Sequence, residues 1–375
     1  MLTLKRKLAK NYVNARGWSS KRKLVVIESD DWGSIRMPSR KVYECLLKEG
    51  LEVDNSYFDK YDSLESAEDF TALFDVLSSV KDRNGHSAVI TPCTVVANPD
   101  FDKIEASDRQ VYHYELISDT YKRYSYQDNM MSLWREGIEN RIFYPQFHGR
   151  EHINVRRWMK AINVSIEKEQ MAFEKRAVIS SEMKNSMKVY PLNYFAAFDY
   201  DSEEHQRELN VIVQDGLQQF EKLFGFQSVS FVPCCGICGN ELSEELAKQG
   251  VDFLQCGQQF LPQGGGRLKL QNHFWGYRNP WGQLYWRRNC TFEPSRNQSF
   301  DWVDLCLTEI KIAFRWGKPA AINSHRVNFI GGIFPENRDK SLKKLKYLLQ
   351  EILKHWPDVE FVNSEQLGYI ISGSR

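Results

Sequence analysis

Short apolar runs of β type alternate along the chain with amphipathic runs of helical period, and this alternation constrains the fold more than any other feature. A buried strand is predicted at residues 23–29, an amphipathic helix at 66–80 and a second strand at 87–96. The same order returns late in the sequence, with a helix at 302–316 before a strand at 320–324. Repeated strand–helix units build parallel sheets, because each helix returns the chain to the edge where the next strand starts.

Seven or eight such strands are predicted, with helices between them. We therefore expect an α/β fold, a deformed (β/α) barrel of seven or eight mostly parallel strands, with a doubly wound open sheet as the alternative. Residues 1–22 form a basic N-terminal segment and residues 23–375 a single domain. Within that domain, the regions near 100–140 and 154–188 are predicted to be helical insertions.

Composition narrows the class of protein. Hydrophobic residues make up 42% of the 375 residues and charged residues 26%, which fits a globular protein and excludes a disordered or fibrous one. Lys and Arg total 50 against 49 Asp and Glu, and this balance argues against a dedicated nucleic-acid binder. The longest apolar runs are short compared with the ~20 residues of a membrane-spanning helix. We expect no nucleic-acid partner and no transmembrane segment.

The N-terminal segment is strongly basic. Residues 1–27 hold eight Lys and Arg and no acidic residue, and they lack the apolar stretch of a secretory signal. Leu4, Leu8 and Tyr12 recur at helical spacing, which fits an amphipathic helix on an anionic membrane surface or a solvated helix that leads into the first strand. The narrow apolar face favours the second. Eight cysteines without an export signal predict reduced thiols in a cytoplasmic protein, with peripheral membrane contact through residues 1–23 as an alternative.

Polar side chains follow three of the predicted strands. Asp30 and Asp31 come after the first strand, His148 and His152 after a short strand in the middle of the chain, and His325 after a late strand. Because the carboxyl ends of parallel strands meet at one end of a barrel, we expect these five side chains to lie together.

The five residues suit metal-assisted hydrolysis of an amide or ester. His148 and His152 are four residues apart, so on a helical turn they share a face and offer two imidazole ligands to one metal. One carboxylate completes a His/His/Asp set with open positions, where zinc lowers the pKa of bound water to about 7. A second carboxylate can accept the proton of that water, and a separate histidine can protonate the leaving group.

The same residues, in this order, resemble the polysaccharide deacetylases, carbohydrate esterase family four, which share the NodB-homology domain. The resemblance covers residues near 23–100, 140–152 and 205–370. The passage from 203 to 239 resembles the third motif region of that family, and the helix and strand at 341–362 resemble its closing segment.

The resemblance implies a role for each of these residues. Asp30 is the general base, and Asp31, His148 and His152 hold a divalent metal ion, with zinc expected first. His325 is the general acid that protonates the leaving group.

Three further residues are expected at the substrate. The resemblance implies that the backbone amide of Cys235 contributes to the oxyanion hole. Trp32 directly follows the aspartate pair and Arg326 directly follows His325, so both are expected to line the site.

The third motif departs from the family, because residues 232–235 are Val-Pro-Cys-Cys and lack the arginine that orients the base. Arg287, Arg288 and Arg326 are the candidates to replace it from another strand end. A guanidinium within hydrogen-bonding reach of Asp30 therefore separates an active hydrolase from an inactive barrel that only binds saccharide or metal.

Two alternative motifs remain. His148, Glu151 and His152 match the H-x-x-E-H pattern of inverted zincins, metallopeptidases in which Glu151 would be the base. That pattern needs a helix, which Gly149 weakens. Residues 234–238 contain C-x-x-C, a pattern of redox pairs and soft-metal sites, although packing of small apolar thiols is favoured.

We therefore expect a metal-dependent hydrolase that removes an N-acetyl or O-acetyl group from a sugar or sugar-containing precursor. Without an export signal, a small-molecule or lipid-linked saccharide is a better substrate than a cell-wall polymer.

Overall fold

The computed structural model describes residues 4–124, 129–163, 167–180 and 194–373. Within these residues nine strands form a central sheet, and two further pairs of strands form small antiparallel sheets. In chain order the strands are β1 (Lys23–Trp32), β2 (Ile90–Val95), β3 (Ala97–Pro99), β4 (Tyr114–Leu116), β5 (Gln146–Gly149), β6 (Ser230–Phe231), β7 (Phe253–Leu254), β8 (Gln258–Pro262), β9 (Leu268–Asn272), β10 (Leu284–Tyr285), β11 (Cys290–Thr291), β12 (Ala320–His325) and β13 (Val359–Phe361).

Helices connect these strands and cover the outside of the sheet. In chain order they are α1 (Leu4–Asn14), α2 (Arg40–Lys48), α3 (Tyr57–Tyr61), α4 (Ala67–Ser78), α5 (Phe101–Ala106), α6 (Ile117–Tyr124), α7 (Met130–Glu139), α8 (Val155–Asn163), α9 (Glu167–Glu174), α10 (Glu203–Phe224), α11 (Asn240–Lys248), α12 (Trp302–Arg315), α13 (Pro335–His355) and α14 (Ser364–Ser372). Among the described helices, none has the length and apolar character that crossing a bilayer requires.

The central sheet curls into a barrel. Its path is β10-β7-β6-β5-β2-β1-β12-β11 with every pair parallel, and β13 pairs with the start of β1. If the sheet were flat, with about 4.8 Å between neighbouring strands, β10 and β11 at the two ends of this path would lie about 34 Å apart. Residues 286–289 alone link β10 to β11, however, and so short a link spans at most about 18 Å. The predicted deformed (β/α) barrel is therefore confirmed, with a seam between β10 and β11.

Strand β1 shows how the sequence sets the layers. It is buried along almost its whole length, as expected for a central parallel strand. Val25 and Ile27 pack in the large cluster that includes α12 and α13, whereas Leu24 and Val26 pack in the cluster that contains Trp286. Because side chains alternate along a strand, the residues at 28 and 30 follow Leu24 and Val26 toward the barrel interior.

The predicted insertions are built from short elements. The region near 100–140 holds α5, β4, α6 and α7, and the region near 154–188 holds α8 and α9. Parts of both regions, and residues 1–3 of the N-terminal segment, lie outside the described residues. The division into a segment 1–22 and one domain 23–375 stays a prediction.

Candidate functional site

The five residues predicted from strand ends lie at one end of the barrel. Asp30 and Asp31 are among the last three residues of β1 rather than after its end. His148 lies in β5, and His325 is the last residue of β12. His325 is in register with Asp30 on the neighbouring strand. His152 lies three residues beyond β5, and its Nε2 is 3.0 Å from Asp31 Oδ1.

A bulge in β1 brings Asp31 to the side of the strand on which Asp30 already lies. Between Ser29 and Trp32 the strand takes three steps, while the paired residues Pro92 and Thr94 of β2 are two steps apart. Asp31 lies in the left-handed region with a φ of 75°. Adjacent residues of a regular strand point to opposite faces, so the extra residue is what lets Asp31 join the side on which Asp30 lies.

Asp31, His148 and His152 converge as a set of metal-ligand atoms. Asp31 Oδ1 is 3.6 Å from His148 Nε2 as well as 3.0 Å from His152 Nε2. The Nδ1 atom of His148 is 2.7 Å from the carbonyl oxygen of Val232, a contact in which Nδ1 carries the hydrogen and leaves the Nε2 lone pair free for a metal. His152 Nδ1 is buried without a hydrogen-bond partner in the described structure.

Electrostatics around these three residues favours a cation. Burial alone would raise the pKa of Asp31, but the two imidazoles hold it well below its usual range. Burial lowers the pKa of His148, yet the neighbouring Cys234 and Asp31 raise it to about 10. A proton and a metal ion therefore compete for the same Nε2 atom. The residues present fit a divalent metal ion in donor type, spacing and charge.

The two histidines are not on a helical turn, which corrects the expectation based on their spacing. β5 ends at Gly149, α8 begins only at Val155, and Gly149 has a φ of 152° that breaks any helix. Glu151 is held by the guanidinium of Arg150 at 2.7 Å through both carboxylate oxygens. The helix that an inverted-zincin site needs is absent from these described residues, and Glu151 already has a cation as its partner.

Arg288 supplies the guanidinium that the third motif lacks. It donates two hydrogen bonds to Asp30, from Nη1 to Oδ2 at 2.6 Å and from Nη2 to Oδ1 at 2.8 Å. Burial alone would raise the pKa of Asp30, but the charge of Arg288, followed by His148, lowers it to about 2. The carboxyl group is therefore ionised at neutral pH and able to accept a proton.

The other two candidate arginines have different partners. Arg287 donates to the backbone oxygens of Gly257 and His273. Arg326 is fully buried and pairs with Asp62 at 3.0 Å and Glu65 at 2.8 Å, so it does not line the site as predicted.

Glu293 is the site residue that the sequence analysis missed. Its Oε1 is 2.6 Å from Nδ1 of His325, and its Oε2 accepts a hydrogen bond from Asn328. Burial lowers the pKa of His325, but the charge of Glu293 raises it to about 10. His325 Nε2 is 4.0 Å from Asp30 Oδ2. The imidazole is therefore protonated at neutral pH and lies beside the carboxylate of Asp30.

Trp32 does not line the site, which corrects the second lining prediction. Its side chain is fully buried, and its ring packs at 4.8 Å from Phe143 and 5.8 Å from Phe70. Its Nε1 donates to Ser29 Oγ. The bulge that brings Asp31 into the site leaves Trp32 facing the helices.

Cys235 lies in a turn, and the residue that precedes it contacts His148. It occupies a short 3-10 turn, Cys234–Gly236, with a φ of 57°. The preceding residue, Cys234, has its Sγ 3.7 Å from His148 Nε2. The turn therefore lies next to the His148 imidazole, where an oxyanion donor is predicted.

The fold and the site define a β/α-barrel protein in which two charged pairs, Arg288 with Asp30 and His325 with Glu293, lie near a cluster of potential metal ligands at the carboxyl ends of the strands. No family model and no curated protein matches the sequence. Among solved structures, a candidate polysaccharide deacetylase from Mycobacterium smegmatis is 11% identical with a TM-score of 0.45, covering 96% of this chain and 93% of that chain. A second candidate polysaccharide deacetylase, from Pseudomonas aeruginosa, is 10% identical with a TM-score of 0.44 and coverages of 93% and 90%.

A candidate glycoside hydrolase or deacetylase from Parabacteroides distasonis is 10% identical with a TM-score of 0.47, covering 94% of this chain and 71% of that chain. At these identities the likenesses assign no activity to this chain.

Proposed function

We propose that this protein is a metal-dependent hydrolase that removes an acetyl group, most simply an N-acetyl group, from a sugar or a sugar-containing precursor. The observation that carries the proposal is the pairing of Asp30, directly beside Asp31 in the sequence, with Arg288 and of His325, on the neighbouring strand, with Glu293. One pair keeps a base ionised and the other keeps an acid protonated, and the two lie close enough to act on one substrate.

Asp31, His148 and His152 would hold the metal ion. Zinc fits their oxygen and nitrogen donors, and when bound it polarises a carbonyl group and lowers the pKa of water. His148 is oriented for this role by its contact with the Val232 carbonyl.

The proton transfers follow from the two pairs. Asp30 accepts a proton from the attacking water, because Arg288 has kept its carboxylate ionised. His325 donates its Nε2 proton to the leaving nitrogen or oxygen, and the charge of Glu293 stabilises the protonated imidazole beforehand. Water adds to the carbonyl carbon, the bond to the sugar breaks, and acetate and the free amine or hydroxyl group are released. The backbone N–H of Cys235 would stabilise the oxyanion formed between these steps.

The open side of the site carries aromatic rings. His325 is the most exposed of the five predicted residues, with 25% of its side chain accessible. Phe58 lies edge-on to the His325 ring at 5.3 Å, and Tyr57 packs on Phe58 at 4.2 Å. Both rings are partly exposed. Both rings offer apolar faces to a sugar substrate, and Tyr57 adds a hydroxyl group.

We further propose that α1 contacts an anionic lipid surface, where a lipid-linked substrate would be found. The helix binds the barrel through polar side chains such as Lys10, whose Nζ is 2.8 Å from Glu309. Its apolar stripe faces outward instead: Leu4, Leu8 and Tyr12 are 75%, 63% and 56% exposed. An outward apolar stripe within a basic segment favours the interface of a bilayer.

The inactive, saccharide- or metal-binding barrel is the second candidate. The reason to consider an inactive barrel is that the third motif lacks its arginine. Arg288 places a guanidinium on Asp30, so this reason no longer supports the inactive barrel. The two candidates differ in turnover rather than in binding.

Release of acetate tests the proposal. The zinc-loaded wild-type protein is incubated with N-acetylglucosamine oligomers and with an aryl acetate, beside Asp30→Asn and His325→Gln. We expect release by the wild type and a loss of at least ~100-fold in each variant, with zinc still bound. Metal binding without release from either probe would favour the inactive barrel.

A further inference from the structure

A buried thiol adjoins the metal-ligand atoms and has no part in the proposed reaction. Cys234 Sγ lies 3.7 Å from His148 Nε2. One ligand atom from each of His148, His152 and Cys234 lies within 4.8 Å of the others. The side chain of Cys234 is fully buried. The two histidines therefore belong both to a set completed by Asp31 and to a set completed by Cys234.

The sulfur–nitrogen distance is the one that a shared metal requires. Zinc binds thiolate at about 2.3 Å and imidazole at about 2.0–2.1 Å, so two tetrahedral ligands of these types lie about 3.6 Å apart. The distance between Cys234 Sγ and His148 Nε2 is 3.7 Å. The contact also fits a simpler description, because the thiol can donate to the carbonyl oxygen of His148 at 3.5 Å.

We propose that Cys234 is a metal ligand in this protein, in addition to the two histidines and Asp31. The proposal rests on the metal site of the proposed function and specifies its chemistry. Thiolate is a soft donor, so it favours zinc and other thiophilic ions over magnesium or manganese. The two histidines, Asp31 and Cys234 would hold the ion, and a zinc ion held by them would still supply Lewis-acid chemistry to a bound water, since catalytic zinc sites accept a fifth ligand.

The local fold gives Cys234 a position that the other cysteines of the same loop lack. The 3-10 turn that follows β6 directs Cys234 Sγ toward β5 and His148. Cys238, four residues on, is equally buried, but its Sγ contacts Ser243 Oγ at 3.6 Å. It therefore provides a matched control, a thiol of similar burial from the same loop without a contact to the histidines.

Cobalt substitution tests the proposal without relying on activity. Full-length wild type, Cys234→Ser and Cys238→Ser are loaded with Co(II), and the near-ultraviolet absorption of thiolate-to-cobalt charge transfer is recorded. We expect this band in the wild type and in Cys238→Ser, and its loss in Cys234→Ser. Zinc affinity should fall at least ~tenfold in Cys234→Ser, because even residues that only orient a ligand cost that much when removed. Manganese affinity should change far less.

X-ray absorption of the zinc-loaded wild type gives a result that needs no variant. A sulfur neighbour at about 2.3 Å is expected beside nitrogen and oxygen at about 2.0–2.1 Å. A bound metal with nitrogen and oxygen neighbours only would overturn the role of Cys234 and leave the Asp31 site intact. Failure of the wild type to bind either zinc or cobalt would overturn the metal site and the proposed function together.

Discussion

Arg288, which follows Asp30 by 258 residues in the chain, donates hydrogen bonds to both carboxylate oxygens of Asp30, at 2.6 and 2.8 Å. The same guanidinium donates from Nε to Glu28 Oε2 at 2.8 Å. It therefore joins two carboxylates of β1 to the segment between β10 and β11. One side chain holds the proposed base in its ionised form and connects the link between β10 and β11 to β1.

Removal of Arg288 should damage stability as well as chemistry. Arg288→Gln leaves Glu28 and Asp30 as buried carboxylates without their cation, a change that costs roughly 3–5 kcal/mol in free energy of unfolding. Urea denaturation measures the loss. Arg287→Gln is the control, because Arg287 donates only to backbone oxygens. Equal losses in the two variants would contradict the role given to Arg288.

Replacement of Glu293 should shift the pH dependence of hydrolysis. The charge of Glu293 raises the pKa of His325 to about 10, and catalysis needs the protonated imidazole. In Glu293→Gln the pKa falls, so the alkaline limb of the rate profile should move to lower pH. Glu44→Gln is the control, because Glu44 is exposed and pairs with Arg40. An alkaline limb that stays in place would show that His325 is not the acid.

The same pair predicts a pH-dependent contribution to stability. A histidine with a raised pKa in the folded state stabilises the fold fully below its unfolded value near 6.5. That stability is lost as pH rises toward the folded pKa of about 10. The difference in free energy of unfolding between wild type and Glu293→Gln should therefore shrink between pH 7 and pH 10.

Metal content should depend on the predicted ligands. Elemental analysis of the purified wild type is expected to give about one zinc per chain. The metal should be lost in both His148→Ala and Asp31→Ala. His86→Ala is the control, since its side chain is 65% exposed and distant from the site in the fold. Loss in His148→Ala with full retention in Asp31→Ala would remove Asp31 from the metal site.

Trp32 should matter for stability rather than for substrate. Trp32→Ala removes a fully buried ring that packs against Phe70, Trp134 and Phe143. The expected cost is about 3–5 kcal/mol in free energy of unfolding. The KM of the folded fraction for an acetylated sugar should stay unchanged, whereas a large rise in KM would restore Trp32 to the substrate site.

The outward stripe of α1 should govern lipid binding. The double variant Leu4→Ser and Leu8→Ser is expected to lose at least ~tenfold in affinity for vesicles of phosphatidylserine and phosphatidylcholine, because each leucine contributes ~1.5–3 kcal/mol when buried. Cosedimentation measures the change. Leu270→Ser, at an exposed leucine of β9, is the control. If the wild type and the double variant bind vesicles with equal affinity, the leucines of α1 do not contact the lipid.

The strand-end rule predicted from the sequence five side chains that the structure brings to one end of the barrel. It located Asp30, Asp31, His148, His152 and His325 because each lies at or near the carboxyl end of a strand with a clear apolar run. It missed Glu293 for a physical reason. The sequence at 284–290 suggests one strand, but the structure divides it into β10 and β11, and Glu293 follows the second of these.

Other features depend on contacts that no local pattern records. The replacement for the missing arginine was narrowed to three residues, and only the packing of the barrel selects Arg288. Asp31 and Trp32 are neighbours on a strand, so alternation alone cannot say that the first faces the site and the second faces the helices. The bulge between Ser29 and Trp32 decides this, and a bulge arises from the register of β1 with β2.

The seam between β10 and β11 couples assembly to chemistry. Elsewhere, neighbouring strands are joined by backbone hydrogen bonds that any sequence of suitable shape can form. At the seam, the guanidinium of Arg288 donates hydrogen bonds to Gln255, directly after β7, and to Asn323 of β12. The same guanidinium binds Asp30, the proposed base. The side chain that connects the two sides of the seam therefore also holds the carboxylate of Asp30. Any substitution of Arg288 should weaken the closure of the barrel and disturb the proposed base together.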